Sequence, residues 1–310
     1  MIAHLKGREQ ALEGFGWTGR KAEWIALVCL HSGVFTRAQL CDRLGIDRWK
    51  AMRFVRAMAE RRQAAEETAG GRKVCRISAR AIYRALGAEH IRHRRTAPGE
   101  VLVRRLLSLD HVIDRPDLPW LPTEAEKVSA FERQGIGRGL LPVRVYRGAA
   151  GDTRRRFPLK LPVALDADRA VFVYAEPGHR TTTALHSWGG AHRGLWRALR
   201  SRGRSVEVEA VVRTRRELDR TRIVLRNWAS RPTATHRSAA PELRAAAREI
   251  ARIERAIRSS DEAAVAGYGD LQGCLVRIAE LKDLLRSARP GPVIDAFGAS
   301  RSVRLAEGGP

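Results

Sequence analysis

The sequence has no apolar run of membrane-spanning length, and its first residues lack the apolar stretch of a secretory signal, so a membrane-embedded or exported chain is not expected. Nor does any strongly amphipathic Lys/Arg helix mark it as membrane-bound. Its four cysteines, Cys29, Cys41, Cys75 and Cys274, are scattered without a C-x-x-C pair. Cys29 and Cys41 fall on apolar helical faces, where buried free thiols are the expectation, and a reducing cytoplasm suits them. A Gly-Lys-Ser/Thr phosphate loop and a Gly-x-Gly-x-x-Gly element are both missing, which argues against a nucleotide-driven enzyme. A Gly-x-Ser-x-Gly elbow is missing too.

Acidic residues are in short supply. Lys and Arg number 58 against 34 Asp and Glu, a formal charge of +24 with a pI near 11.3 over 310 residues. Such a field draws polyanions and supplies the sequence-independent part of DNA binding. GC-rich coding explains Arg over Lys; it does not explain basic over acidic. The charge is uneven. Residues 33–95 hold 16 basic and 6 acidic side chains, residues 193–237 hold 13 and 4, and residues 240–290 hold 9 and 8. Two contact surfaces and one neutral structural element are implied, the second basic block gripping flanking phosphates.

What is present is patterned. After a polar arm (1–20), Lys21–His31 reads as a buried helix. Thr36 and Gln39 form a capping box for the next helix, with Leu40 and Leu44 inward. Gly45 turns the chain, Ile46 plugs the gap and Asp47 caps a helix to about Arg62, whose core stripe is Ala51, Phe54, Val55 and Met58. Residues 66–78 read as a hairpin turning at Gly70-Gly71. Three helices and a hairpin make a winged helix-turn-helix over 21–89. Its outward face offers Arg48, Trp49, Lys50, Arg53 and Arg56, and its ribbon Arg72, Lys73 and Arg76, as the DNA-contacting set. Arg is suited to guanine, while Lys50 and the ribbon reach phosphate. Trp49 is open between core closure and base contact. The bland alternative is a solvated face in a protein-docking adaptor.

A basic linker (90–98) is expected to separate this from an α/β domain over 99–237. There the pattern predicts helices at 100–109, 123–134 and 186–202, and strands at 141–147, 157–165, 170–175 and 205–212. A helix around 218–228 follows. The α-β-β-β-α-β order is also that of the restriction-endonuclease core, in which acids hold a metal that activates water. The corresponding places hold Glu126, Asp166 or Asp168, and Glu176, but Gly178 stands where such enzymes have Lys; Lys160 is the spatial substitute. The damaged motif favours a fold kept for binding, with a Mg-dependent DNA nuclease as the alternative and no cofactor otherwise. His179, His186 and His192 lie close in sequence without metal-ligand spacing. Residues 238–289 read as a helical hairpin (Leu243, Ile250, Ile253, Ile257; Leu271, Cys274, Leu275, Ile278, Leu281, Leu285), packing on its own chain or forming a homodimer seam. The Gly/Pro-rich stretch 290–310 reads as a disordered tail. The fold class is α+β.

Phe35-Thr-Arg-Ala-Gln-Leu40 with Leu44-Gly-Ile46, Tyr83-Arg-Ala-Leu-Gly87, and Leu140–Arg147 through Phe172-Val-Tyr174 carry a further observation. Over about residues 20–212 the chain resembles the winged-helix proteins of plasmids and integrative elements, of the replication-relaxation or mobilisation-accessory type. The resemblance implies an N-terminal winged helix joined to a nuclease-like domain that generally lacks catalytic residues. It further implies double-stranded DNA binding during replication, transfer or transcription control of a mobile element. It transfers no catalytic residue.

Overall fold

The computed structural model describes residues 4–5, 7–148, 151–178, 182–230, 241–287 and 293–305, without the side chains of 241–244, 247 and 283–287. The chain forms a mixed α+β structure with three small sheets. It divides into two units, residues 1–229 with 294–310, and residues 230–293.

The first unit begins with a short 3-10 helix (Arg8–Phe15), α1 (Gly19–His31) and β1 (Val34–Phe35). Next come α2 (Arg37–Leu44), α3 (Arg48–Glu60), β2 (Ala64–Ala69), β3 (Arg72–Ile77) and α4 (Arg80–Ala85). The antiparallel sheet order is β1-β3-β2. Trp24, Phe35, Phe54 and Trp17 meet edge-on or tilted across its core, with ring centres 5.0–6.3 Å apart. Then come α5 (Gly99–Asp114), α6 (Glu124–Arg133), a two-stranded ribbon β4 (Val143–Tyr146) and β5 (Thr153–Arg156), and β6 (Val163–Leu165). β7 (Arg169–Ala175), α7 (Thr183–Arg200), β8 (Ser205–Val212) and α8 (Arg215–Ser230) follow. β6 is antiparallel to β7, and β7 is parallel to β8. Alternation along the strands decides the two faces. Phe172 on β7 meets Trp196 of α7 at 5.8 Å. Glu209 on β8 faces the other way, to His111 and Arg115 at the end of α5. Burial alone would raise the Glu209 carboxyl, but its contacts with His111 and Arg115 hold it down at about 2.

Three expectations are corrected here. The stretch 90–98 does not space two bodies. His93 is buried, its carbonyl accepts from Arg105 at 3.1 Å, and Gly33 sits so close that a Cβ there would lie 2.5 Å from the His93 side chain. The strand at 141–147 does not join the main sheet. It pairs with β5, a strand of Thr and three Arg that has no apolar alternation to announce it. The stretch 157–165 is a strand only at its end, because Phe157 and Lys160 take left-handed backbone (φ 48° and 55°).

The tail is the largest difference. β9 (Ala296–Arg301) runs parallel to β8 and completes the sheet β6-β7-β8-β9. Ile294 and Leu305 are buried on either side of it. Asp295 accepts from Arg200 at 3.0 Å and from the Val206 amide at 2.9 Å. Ser302 donates to Asp110 on α5, and Arg304 reaches Asp42 at 2.7 Å and Asp114 at 2.9 Å. Burial pushes the Asp110 carboxyl up to about 6 against Ser302, Gln39 and Arg304, which pull it down.

The second unit, by itself, is α9 (Pro241–Arg258), α10 (Glu262–Ala266) and α11 (Leu271–Ser287). The expected second helix is thus broken after Ala266. Ala246, Ile250 and Ile253 pack on Cys274, Ile278 and Leu281, and Arg277 bridges to Glu249 at 2.9 Å. Leu271 and Leu275 are instead exposed. The side chains of Leu243 and Leu285 lie outside the described residues.

Two stability outcomes follow. Ile294→Ala should cost about 2–5 kcal/mol in urea unfolding, as for a packed core position; a change near zero would mean this segment does not pack. Burial also pulls the imidazoles of His4 and His192 from 6.5 to about 4, and His31 and His93 well below 6.5. As pH falls from 6.5 towards 4, the unfolded chain takes up those protons first, so their share of stability is lost over that window. Asp110 and Glu207, whose carboxyls are raised, act oppositely as two groups against four. The melting temperature is expected to fall between pH 6.5 and 4, and a flat or rising profile would contradict the burial of these rings.

Candidate nucleic-acid interface

The α2–α3 pair is fixed by its ends. Thr36 Oγ1 accepts from the Gln39 amide at 3.2 Å, while Gln39 Oε1 accepts from the Thr36 amide at 2.9 Å. Gly45 takes the left-handed turn (φ 62°) that few other residues adopt. Asp47 Oδ1 accepts from the Lys50 amide at 2.7 Å and starts α3. Ala51, Phe54, Val55 and Met58 are buried, which leaves the opposite face to water. On that face Trp49 is 59% exposed and Met52 41%. Trp49 is therefore not core. The Arg53 guanidinium lies 4.8 Å over its ring.

Among the described residues Arg48, Arg53 and Lys73 form no ion pair. Lys50 touches only its own cap, Asp47, at 3.4 Å. Arg56 meets Glu60 at 3.0 Å with both side chains largely in water, a contact too weak to withhold the guanidinium from a partner. Arg48, Trp49, Arg53 and Arg56 thus share one exposed helical face, and Met52, which sequence reasoning passed over, lies within it between Arg48 and Arg56. A 100° helical step places Met52 there; its apolar character hid it.

The ribbon does not join that face as expected. Its tip is folded back: Gly70 approaches Val103 of α5 so closely that a Cβ would lie 2.9 Å from it, and Ala69 is buried. Arg76 gives its guanidinium to both Glu67 oxygens at 3.1 Å and to the Arg94 carbonyl at 2.8 Å. Arg72 donates to the Arg304 carbonyl at 3.1 Å. Only Lys73 of the three is exposed. Part of the second basic block is likewise spent internally. Arg200 holds Asp295, Arg202 the Gly135 carbonyl at 2.9 Å, Arg204 the Asp166 carbonyl at 2.6 Å, and Arg222 the Ala299 carbonyl at 3.3 Å.

The acids proposed for metal do not converge. Asp166 and Asp168 lie in the β6–β7 turn and Glu176 just beyond the far end of β7, so the strand separates them by roughly 25 Å at 3.3 Å per residue. Glu126 caps α6 through the Thr123 amide at 2.8 Å and pairs with Arg8. Buried Glu176 accepts from Tyr174 at 3.0 Å and from the Gly178 amide at 3.1 Å. Lys160 lines a cavity to whose wall none of these four acids contributes. His186 rests beside Trp228, His192 is packed among aromatic rings, and His179 lies outside the described residues. Among the described residues no cluster of three or more His, Cys, Asp or Glu suits a metal ion. Nor is any helix among them long and apolar enough to cross a membrane. No family model, curated protein or solved structure matches this chain.

Arg76→Ala should lower stability by about 1–3 kcal/mol in urea unfolding, because it strands Glu67 and a carbonyl. DNA affinity should not change. A loss of affinity at unchanged stability would return Arg76 to the contact surface.

Proposed function

We infer that the protein reads double-stranded DNA with α3, in the manner of a winged-helix protein. The observation that carries this is the exposed face of α3, where Arg48, Arg53 and Arg56 converge around Trp49 with no buried carboxylate to neutralise them. A helix of this diameter fits the major groove, and guanidinium groups are the commonest readers of guanine there. The chain's charge of +24 supplies encounter and non-specific affinity. Lys73 and Lys50 are the phosphate contacts at its border. The ribbon braces the unit instead of reaching out as a wing.

The sheet β6-β7-β8-β9 with α5 and α7 lacks the first strand of the expected nuclease-like order, since β4 pairs with β5 instead, and the acids of that motif are not gathered. What supports the resemblance to winged-helix proteins of plasmids and integrative elements is the order α1-α2-α3-β2-β3. The role it suggests is DNA binding in replication, transfer or transcription control of such an element, in the cytoplasm. Leu271 and Leu275, exposed on α11, favour self-association through the second unit as part of this reading.

Selection of bound duplexes from a random pool would define the site. Against that site, Arg53→Ala and Arg56→Ala should each cost about 1–3 kcal/mol of affinity, with a smaller loss on random duplex. Equal losses on both would overturn base reading. Affinity that does not fall as salt rises would favour a protein-docking use of Trp49 and Met52 instead.

A further inference from the structure

The β4–β5 ribbon, which no part of the α3 reading uses, is a strongly basic surface. Residues 143–156 hold five Arg and one Asp. The ribbon is paired with no other strand, and β4 is exposed along its whole length. The register sets Arg144 directly opposite Arg155, a like-charge pair that destabilises a free ribbon. Among the described residues Arg144, Arg147 and Arg154 form no ion pair, and Arg155 only approaches Glu124 at 3.9 Å. Between these cations Val143, Val145 and Tyr146 are exposed, and the Arg144 guanidinium lies 5.3 Å from the Tyr146 ring. Cations interleaved with apolar and aromatic surface, with one acid against five Arg, is the composition of a strand-tracking groove.

At the ribbon's base lies a cavity of about 470 Å³, a size that holds a nucleobase and its sugar. Phe157, Tyr174 and Trp188 line it with ring surface, and Ala184, Ser187 and Ala191 of α7 leave room along one wall. Lys160 also lines it, held by the left-handed turn from Phe157. Loss of solvent, then Arg105, Arg92 and Arg155, push that ammonium down to about 8. Among the described residues no carboxylate pairs with it. His192 Nδ1 donates to the Trp188 carbonyl at 2.8 Å, which fixes the tautomer. Burial keeps the ring neutral, so Nε2 retains its lone pair as an acceptor for an N–H.

We propose that the β4–β5 ribbon and this cavity bind single-stranded DNA, the guanidiniums holding successive phosphates and the cavity taking one unstacked base. A base within an intact duplex cannot enter, because its ring faces are covered by its neighbours. The site is separate from α3 and does not depend on the duplex reading.

Anisotropy with a labelled oligothymidylate of about twelve nucleotides tests this. Arg144→Ala/Arg155→Ala, which changes one exposed and one half-exposed side chain, should weaken binding about tenfold or more, as should Ala191→Phe, which fills the cavity from an exposed position. Lys160→Met should weaken it similarly at unchanged or higher melting temperature. Binding of the α3-selected duplex should persist in all three variants, and Arg53→Ala should leave single-strand binding intact. Unchanged oligothymidylate affinity in the three variants overturns the proposal. So does an equal loss on duplex of the same length. Loss in the ribbon variant alone overturns insertion of a base, and thymidine monophosphate binding as tightly as the oligonucleotide overturns the strand.

Discussion

One buried carboxylate sets the relation between the two halves of the first unit. Asp110 on α5 is 2% exposed and accepts from the Gln39 amide at 2.6 Å and from the Ser302 hydroxyl, with Arg304 at 3.7 Å. Gln39 is already committed at the start of α2, where its other atom closes the capping box. The same amide nitrogen also meets the Leu106 carbonyl at 3.0 Å. A polar network inside a protein is costly unless all its members are satisfied, and here each supports another element. The outcome is that the start of α2, the middle of α5 and the end of β9 have a single mutual position. The face of α3 inherits that position through the turn at Gly45.

Charge in this chain has two uses, and the partners of each guanidinium tell them apart. Arg72, Arg76, Arg200, Arg202, Arg204 and Arg304 hold carbonyls or carboxylates and act as struts. Arg48 and Arg53 on α3, with Arg144, Arg147 and Arg154 on the ribbon, are left to the solvent. A formal charge counts both kinds equally. Arg76, Arg200 and Arg304, paired with carboxylates, add little to the field seen by an approaching polyanion, whereas Arg72, Arg202 and Arg204, on neutral carbonyls, keep their charge but not their freedom to reach a phosphate.

The sequence was most legible where local chemistry is self-sufficient. The capping box of Thr36 and Gln39, the turn at Gly45 and the cap at Asp47 are all decided within four residues, and α2 and α3 stand where they should. β8 coincides with its expected limits because Val206, Val208, Ala210 and Val212 alternate against a packed face. Legibility failed where distant chain decides. β9 is a run of small residues beside Gly and Pro, and only the free edge of β8 makes it a strand. β5 has no apolar face. The folding back of the Gly70 tip onto Val103 depends on α5, more than thirty residues on. The expected acid site failed for a related reason: the order of elements was read well enough to name Asp166 and Glu176, but order does not say which end of a strand a residue occupies.

The 192 residues between Asp110 and Ser302 have a consequence for biosynthesis. At ribosomal speeds, roughly 10–40 s pass between the appearance of the carboxylate and that of the hydroxyl that closes on it. During that interval the Asp110 carboxylate has Gln39 but lacks Ser302 and Arg304, and β8 presents a bare strand edge of Val and Ala. The helical second unit is made within the same interval, between α8 and β9. The nascent chain therefore carries its most adhesive edge longest, and a messenger cut short in this region would yield a product that invites aggregation instead of a smaller working protein.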